Sequence, residues 1–283
     1  MAIPSLIELA ESGAHFGHHK SLTFPKSRAF IYMIKNNVAL INLEKTQEAL
    51  IKAQEVFQAN MKENKPVLFV GTRRAVRGVT KEVAESVGCY YITERWFGGM
   101  LTNFSTMLDN IKRMNELEEF LAGDESKKLT KKERLLQESK LARSKRFMGG
   151  VRKLTSIPEL IILASASEDK IAVTEANQLD IPVISIADTD MNPEFITYPI
   201  PANDDAPKAV ELILNTIISK PVAKKATAKK IEEKTQKVEK QVAKKGLTKK
   251  TVKKVTTKKL VVKSKVKKIT VKKATKVVKK AKE

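Results

Sequence analysis

The chain is poor in groups that carry covalent chemistry. It has one cysteine, Cys89, among 283 residues. No internal disulfide can form, and a reducing compartment is expected. A lone thiol at a strand edge reads as a small buried hydrophobe. No apolar run reaches the ~18 residues of a membrane span. The N-terminus, MAIPSLIELAESG, has Glu8 and Glu11 but no basic segment, so it is not a signal peptide. Neither G-x-G-x-x-G nor G-x-x-x-x-G-K-[ST] occurs. No Ser/His/Asp arrangement or paired-carboxylate pocket assembles from the sequence, so acid–base catalysis has no visible agent. These absences point to a soluble cytoplasmic protein that is not an enzyme.

Positive charge is present in excess, but on one side only. The formal net charge is +22. Residues 221–283 hold 25 Lys, no Arg and four acids, whereas residues 1–220 hold 29 basic and 28 acidic residues. The body is therefore near neutral, and the basic balance that marks a nucleic-acid binder belongs to the tail. Lys pairs recur there between Val, Ala, Thr and Ile, with no aromatic. Repulsion and scant apolar bulk predict a low-complexity tail that is disordered when free.

The body has two rhythms. Ser5 and Glu8 form a capping-box pattern over a short helix at 4–12. AFIYMI and VALINL flank Asn36-Asn37, a hairpin signal. Leu50, Ala53, Phe57 and Met61 share one face of a helix at 44–61. PVLFVG (66–71), CYYITE (89–94), ELIILAS (159–165), PVISIADTD (182–190) and ITYPIPA read as buried strands. Helices at 74–87, 171–179 and 206–219 alternate with them. Continuous apolar strands between amphipathic helices predict a doubly wound, mostly parallel, flavodoxin-like α/β sheet. Residues 102–149 break this pattern. Phe104, Met107, Ile111, Met114, Leu117 and Leu121 keep 3–4 spacing, the polar turn GDESKK follows, and Thr130 with Glu133 opens a second charged helix. This predicts an inserted antiparallel coiled-coil hairpin projecting from a body of residues 1–220.

Four stretches are candidate sites. FVGTRRAVRG puts Arg73, Arg74 and Arg77 at the carboxyl end of the first parallel strand, the usual binding edge of such sheets, where guanidinium forks suit phosphate. His15, His18 and His19 fall within AHFGHHK, and Asp188, Asp190, Asp204 and Asp205 lie at late strand ends. The His residues are candidates for a structural Zn²⁺ that needs a fourth ligand, Cys89 or an Asp, brought in by folding, and the carboxylates are candidates for Mg²⁺. The alternative for the His residues is a polar or RNA-facing loop, and for Asp204 and Asp205 it is capping of the last helix. In RWFGGMLTNF, Arg95 and Trp96 suit a nucleotide or partner chain. Trp96 equally suits a buried plug at the root of the hairpin, with Arg95 outward. Gly98-Gly99 lets the backbone come close and redirect.

With these pieces in order, SGAHFGHHK, NNVALINLEKT, VLFVGTRRA, ITERWFGGMLTNF, LTKKE, MGGVRKL, PELIILA, EANQLDIPVISIADTDMNP, YPIPANDDA and KAVELILN closely resemble the bacterial small-subunit ribosomal protein S-two family, over about residues 10–215. The resemblance implies an α/β body with a protruding coiled coil and no catalytic activity. It implies a structural role in translation, docked on small-subunit rRNA and neighbouring ribosomal proteins, with ribosomal protein S-one among the partners. Candidate contacts are Lys20, Lys26, Arg28, Arg73, Arg74, Arg77, Arg95, Trp96, Lys112 and Arg113. SLTFPKS, after the His residues, and the Lys tail depart from the family pattern. The rival readings are a nucleotide-binding α/β enzyme, which lacks its phosphate loop, and a Lys-rich nucleic-acid compaction protein, which leaves the body without a role.

Overall fold

A computed structural model describes residues 3–123 and 129–219. The Lys-rich tail and most of the GDESKK turn lie outside the described residues. Helix α1 (Leu6–Glu11) opens with the predicted capping box: Ser5 Oγ accepts from Glu8 N, and Glu8 Oε2 accepts from Ser5 N. Strand β1 (Phe16–His19) follows, then β2 (Ile31–Lys35) and β3 (Val38–Ile41). These form a small antiparallel sheet of order β1-β3-β2. Asn36 and Asn37, at φ 50° and 62°, make the two-residue turn between β2 and β3. Both residues are left-handed, as a type I′ hairpin requires, and Asn tolerates that conformation.

The main sheet contains β4 (Val67–Val70), β5 (Tyr90–Ile92), β6 (Leu160–Leu163), β7 (Val183–Ala187) and β8 (Tyr198–Pro201). All its pairings are parallel, in the order β5-β4-β6-β7-β8. Renumbered within the sheet, this is the 2-1-3-4-5 order of flavodoxin-like folds. Strand side chains alternate between two apolar layers, as the pleat dictates. Val67 and Phe69 face one layer with Leu160 and Ile162; Leu68 and Val70 face the other with Ile161 and Leu163. The first layer is covered by α1, α2 (Leu43–Lys62), α3 (Arg77–Ser86) and α7 (Pro207–Ile218). Leu50, Ala53 and Phe57 are the buried apolar stripe of α2, and Phe57 meets Phe69 edge-on with ring centroids 6.2 Å apart. Gln54, inside that stripe, donates to the carbonyls of Thr216 and Ser219 and so ties α2 to the end of α7.

The second layer is covered by α4 (Phe104–Ala122) and α6 (Lys170–Gln178), with the β5–α4 loop between them. Met107, Ile111 and Met114 are the buried residues of α4. Helix α5 (Lys131–Met148) has none, and it packs along α4. It starts at the predicted Thr130–Glu133 capping box. Lys145 of α5 reaches Glu118 of α4 at 2.6 Å, and Arg152 reaches the same carboxylate at 2.7 Å. Among the described residues no helix is long and apolar enough to cross a membrane.

Two elements differ from expectation. FGHH, within AHFGHH, is a strand, because β1 pairs with β3 and its backbone is fixed from afar: His18 N donates to Thr189 Oγ1 at 2.9 Å. Gly17 allows that approach, since a Cβ there would stand 2.8 Å from Thr189 Cγ2. Helix α3 starts at Arg77 rather than Arg74, because residues 73–76 form a turn that closes with Val76 N on the Arg73 carbonyl.

Candidate functional site

Parallel strands bring their carboxyl ends to one edge, and the polar residues of the body converge there. Gly71 ends β4 where a Cβ would lie 2.3 Å from Thr80 Oγ1, so glycine lets α3 cross close to the strand end. Thr72 Oγ1 donates to Asp169 Oδ1 at 2.8 Å. Arg73 Nη1 donates to Asp204 Oδ1 at 2.8 Å and also to Asp205. Asp204 is fully buried and accepts from Ser165 Oγ at 2.6 Å. Burial pushes the Asp169 and Asp204 carboxyls up to about 6, against the pull of Thr72 on the first and of Ser165 and Arg73 on the second. Arg77 donates from Nη1 to Glu94 Oε2, from Nη2 to the Glu94 carbonyl and from Nε to the Thr72 carbonyl. Of the three arginines after β4, Arg74 alone is exposed and makes no ion pair with a described residue.

The three histidines separate. Successive residues of β1 point to opposite faces. His15 lies against the Phe16 ring, with centroids 3.9 Å apart and a buried, unpartnered Nδ1. His19 Nδ1 pairs with Ser21 Oγ. His18 turns to the carboxylates: Nδ1 lies 3.1 Å from Asp188 Oδ2 and Nε2 lies 3.7 Å from Asp205 Oδ2. Pairing with Asp188 raises His18 to about 9, against its partial burial. Asp188 Oδ2 is buried and, despite that short contact, receives no hydrogen bond of good angle. One ligand atom from each of His18, Asp188 and Asp205 falls within 4.8 Å of the others. Asp204 and Asp205 do not cap α7. Its N-cap is Ala206, without a side-chain bond, and Pro207 occupies the first turn. The two carboxylates are drawn to Arg73 and His18 instead.

The loop after β5 is organised by a residue far along the chain. Glu175 of α6 is 6% exposed. Its Oε1 accepts from Trp96 Nε1 at 3.1 Å and Gly99 N at 2.8 Å. Its Oε2 accepts from Leu101 N at 3.0 Å and Thr102 N at 3.3 Å. Burial alone raises this carboxyl; the bonds from Leu101, Gly99, Trp96 and Thr102 outweigh it, and the group titrates below the usual Glu range. Gly99 takes φ +90°, the left-handed turn that brings three amides onto one carboxylate. Trp96 is thus the buried plug, its ring closed to a stacking partner, and Arg95 is outward. The sequence offered one signal for Glu175: it falls three residues after Ala172, inside the apolar face of α6.

The remaining candidates lie on separate elements. Lys20, Arg28, Arg95 and Arg113 are exposed and make no ion pair with a described residue. Lys26 pairs with Glu194, and Lys112 with Asp109 at 3.6 Å. Cys89 packs against Met61, sulfur to sulfur at 3.8 Å, and burial pushes its thiol up to about 11, so it is inert at neutral pH.

What this edge holds is carboxylates, hydroxyls and matched cations. The family described as ribosomal protein S2 matches residues 9–224. A relative from Chloroherpeton thalassium, named small ribosomal subunit protein uS2, is 42% identical over 217 residues, covering 77% of this chain and 87% of that one. Relatives of the same name from Tolumonas auensis and Idiomarina loihiensis are 40% and 38% identical, each covering 76% of this chain and 89% of their own. With a match across the whole α/β body and relatives covered along nearly their full length, this chain belongs to the ribosomal protein S2 family.

Proposed function

We infer that the protein is a structural constituent of the small ribosomal subunit. Its body docks on rRNA and neighbouring ribosomal proteins, ribosomal protein S-one among them, in the cytoplasm. The observation that carries this reading is the family match over residues 9–224. Family membership sets the enzyme reading aside. The α4–α5 pair serves as a projecting coiled coil. Arg74, Arg95, Arg113, Lys20 and Arg28 serve as phosphate contacts, supported by their exposure and lack of an internal ion pair. Arg73 and Arg77, held by internal carboxylates, serve to shape the edge on which Arg74 stands. The tail acts as a nonspecific phosphate tether, supported by its 25 Lys.

The corner of His18, Asp188 and Asp205 is a cation site in this reading. One imidazole and two carboxylates suit Zn²⁺ with one position open, and the ill-satisfied Asp188 Oδ2 supports it. Zn²⁺ titrated into the full chain should bind once, release protons from His18 and fail to bind His18→Ala. Binding of equal strength to that variant places the metal elsewhere.

The docking reading is tested by sedimenting cell lysate through sucrose gradients, with the full chain and residues 1–220 followed side by side. Both should travel with the small-subunit peak. If only the full chain does so and moderate salt strips it, the tail is the binder. If neither does, the reading fails.

A further inference from the structure

A cavity of about 320 Å³ lies at the base of the α4–α5 pair, lined by Phe97, Gly98, Gly99, Asn110, Arg143 and Phe147 among others. It is at the small end of ligand cavities, sized for one flat ring system. Its lining contains one cation and no acid. Arg143 is exposed and makes no ion pair with a described residue. Phe97 is 42% exposed although its neighbour Trp96 is buried. Its ring is held edge-to-face against Phe147, centroids 5.3 Å apart at 71°. Asn110 is exposed, and its amide has no partner among the described residues. A Cβ at Gly98 would meet nothing within 4 Å, so the backbone there is open to close approach. Gly99 is fixed beneath it by Glu175.

We propose that this cavity receives a single unstacked nucleobase of the small-subunit RNA. The proposal deepens the ribosomal reading and rests on it. Unpaired bases are recognised by an aromatic face, by hydrogen bonds to the base edge and by a cation for the attached phosphate. Phe97 supplies the face, Asn110 the edge contact and Arg143 the cation. The amide of Asn110 both donates and accepts, so it suits the mixed edge of a base. The absence of acid from the lining favours a phosphate-bearing occupant over a basic protein side chain. The rigid floor means that no loop has to be ordered on binding.

The test uses small subunits stripped of this protein and rebuilt with the full chain, read by equilibrium binding and by chemical probing of base and 2′-hydroxyl reactivity. Wild type should alter reactivity at a discrete nucleotide. Phe97→Leu, which keeps apolar bulk against Phe147 without the ring, should lose that one change, keep the others and bind about tenfold more weakly. Phe97→Tyr should restore both. Arg143→Ala should weaken binding and reduce the salt slope by about 0.7–0.9. It also serves as the deciding variant if Phe97→Leu melts early. Wild-type affinity and an unaltered reactivity pattern in both Phe97→Leu and Arg143→Ala overturn the proposal. So does a photoreactive benzoylphenylalanine at position 97 that crosslinks to protein rather than RNA. If the wild type itself fails to rebind, the ribosomal reading falls and this inference with it.

Discussion

Glu175→Gln is the sharpest probe of how the body holds the root of the helical pair. The substitution keeps shape and removes charge. In the wild type four N–H donors converge on two carboxylate oxygens, two on each. In the amide one oxygen becomes NH₂. Whichever way it turns, two donors then face another donor. A hydrogen bond to a charged acceptor contributes ~1.5–3 kcal/mol, and an orphaned buried N–H costs ~1–3 kcal/mol. Allowing for relaxation of the loop, the loss should be about 3 kcal/mol. For a body of this size that lowers the melting temperature by ~6–12 °C. Trp96 is the only tryptophan, so its emission reports on this one loop. Melting of the full chain followed by Trp emission and by circular dichroism should show the loss in both. The pH dependence gives a second arm. The folded carboxyl titrates below the ordinary Glu value of about 4.3. Its contribution is therefore complete above that value and fades as pH falls through the lower folded value. Glu175→Gln should remove this part of the acid limb. A variant that melts within ~1 °C of wild type, with Trp96 emission and acrylamide quenching unchanged, would refute the role assigned to Glu175.

Three further outcomes are expected. Arg73→Ala leaves Asp204 buried without its cation; breaking such a pair costs ~3 kcal/mol or more, and adding Asp204→Asn should recover part of the lost melting temperature, whereas no recovery means that Arg73 acts through packing. Gly150→Ala places a Cβ 2.2 Å from the Tyr91 carbonyl oxygen and should cost ~2 kcal/mol in chemical denaturation, while Gly78→Ala, in open space on α3, should stabilise by ~0.4–1 kcal/mol; equal effects would show that the backbone at Gly150 yields freely. Deleting residues 221–283 should flatten the salt dependence of RNA binding by about 6 in log–log slope if some eight lysines engage single-stranded phosphate, worth more than three decades between about 50 and 200 mM salt; an unchanged slope removes the tether.

Much of the fold was legible because its signals are local. Asn36-Asn37 had to be a left-handed turn, and both capping boxes sit within four residues of chain. The buried strands announce themselves as unbroken apolar runs because helices cover both faces of the sheet. The site was less legible, because a parallel sheet assembles its edge from strand ends far apart in sequence. Nothing near Arg73 shows that Asp204 will meet it, 131 residues on. The same holds for Arg77, whose triplet with Arg73 and Arg74 looked like a phosphate cluster until the acids were in place. The three histidines looked like one group because spacing was all there was to read; His15 lies in the turn before β1, and β1 carries His18 to the carboxylates. Asp204 and Asp205 have the position of helix caps and another task, since a half-buried guanidinium and an imidazolium attract them more strongly than exposed amides do.

The bond between Gly99 and Glu175 spans 76 residues, and that interval has a meaning in time. A ribosome adds ~5–20 residues per second, so about 4–15 s pass between emergence of the loop and emergence of its anchor. Before that interval ends α4 and α5 are complete as sequence, yet the turn that leads into them still lacks its carboxylate. Whatever the pair finally touches, it can be aimed there only after α6 has left the exit tunnel.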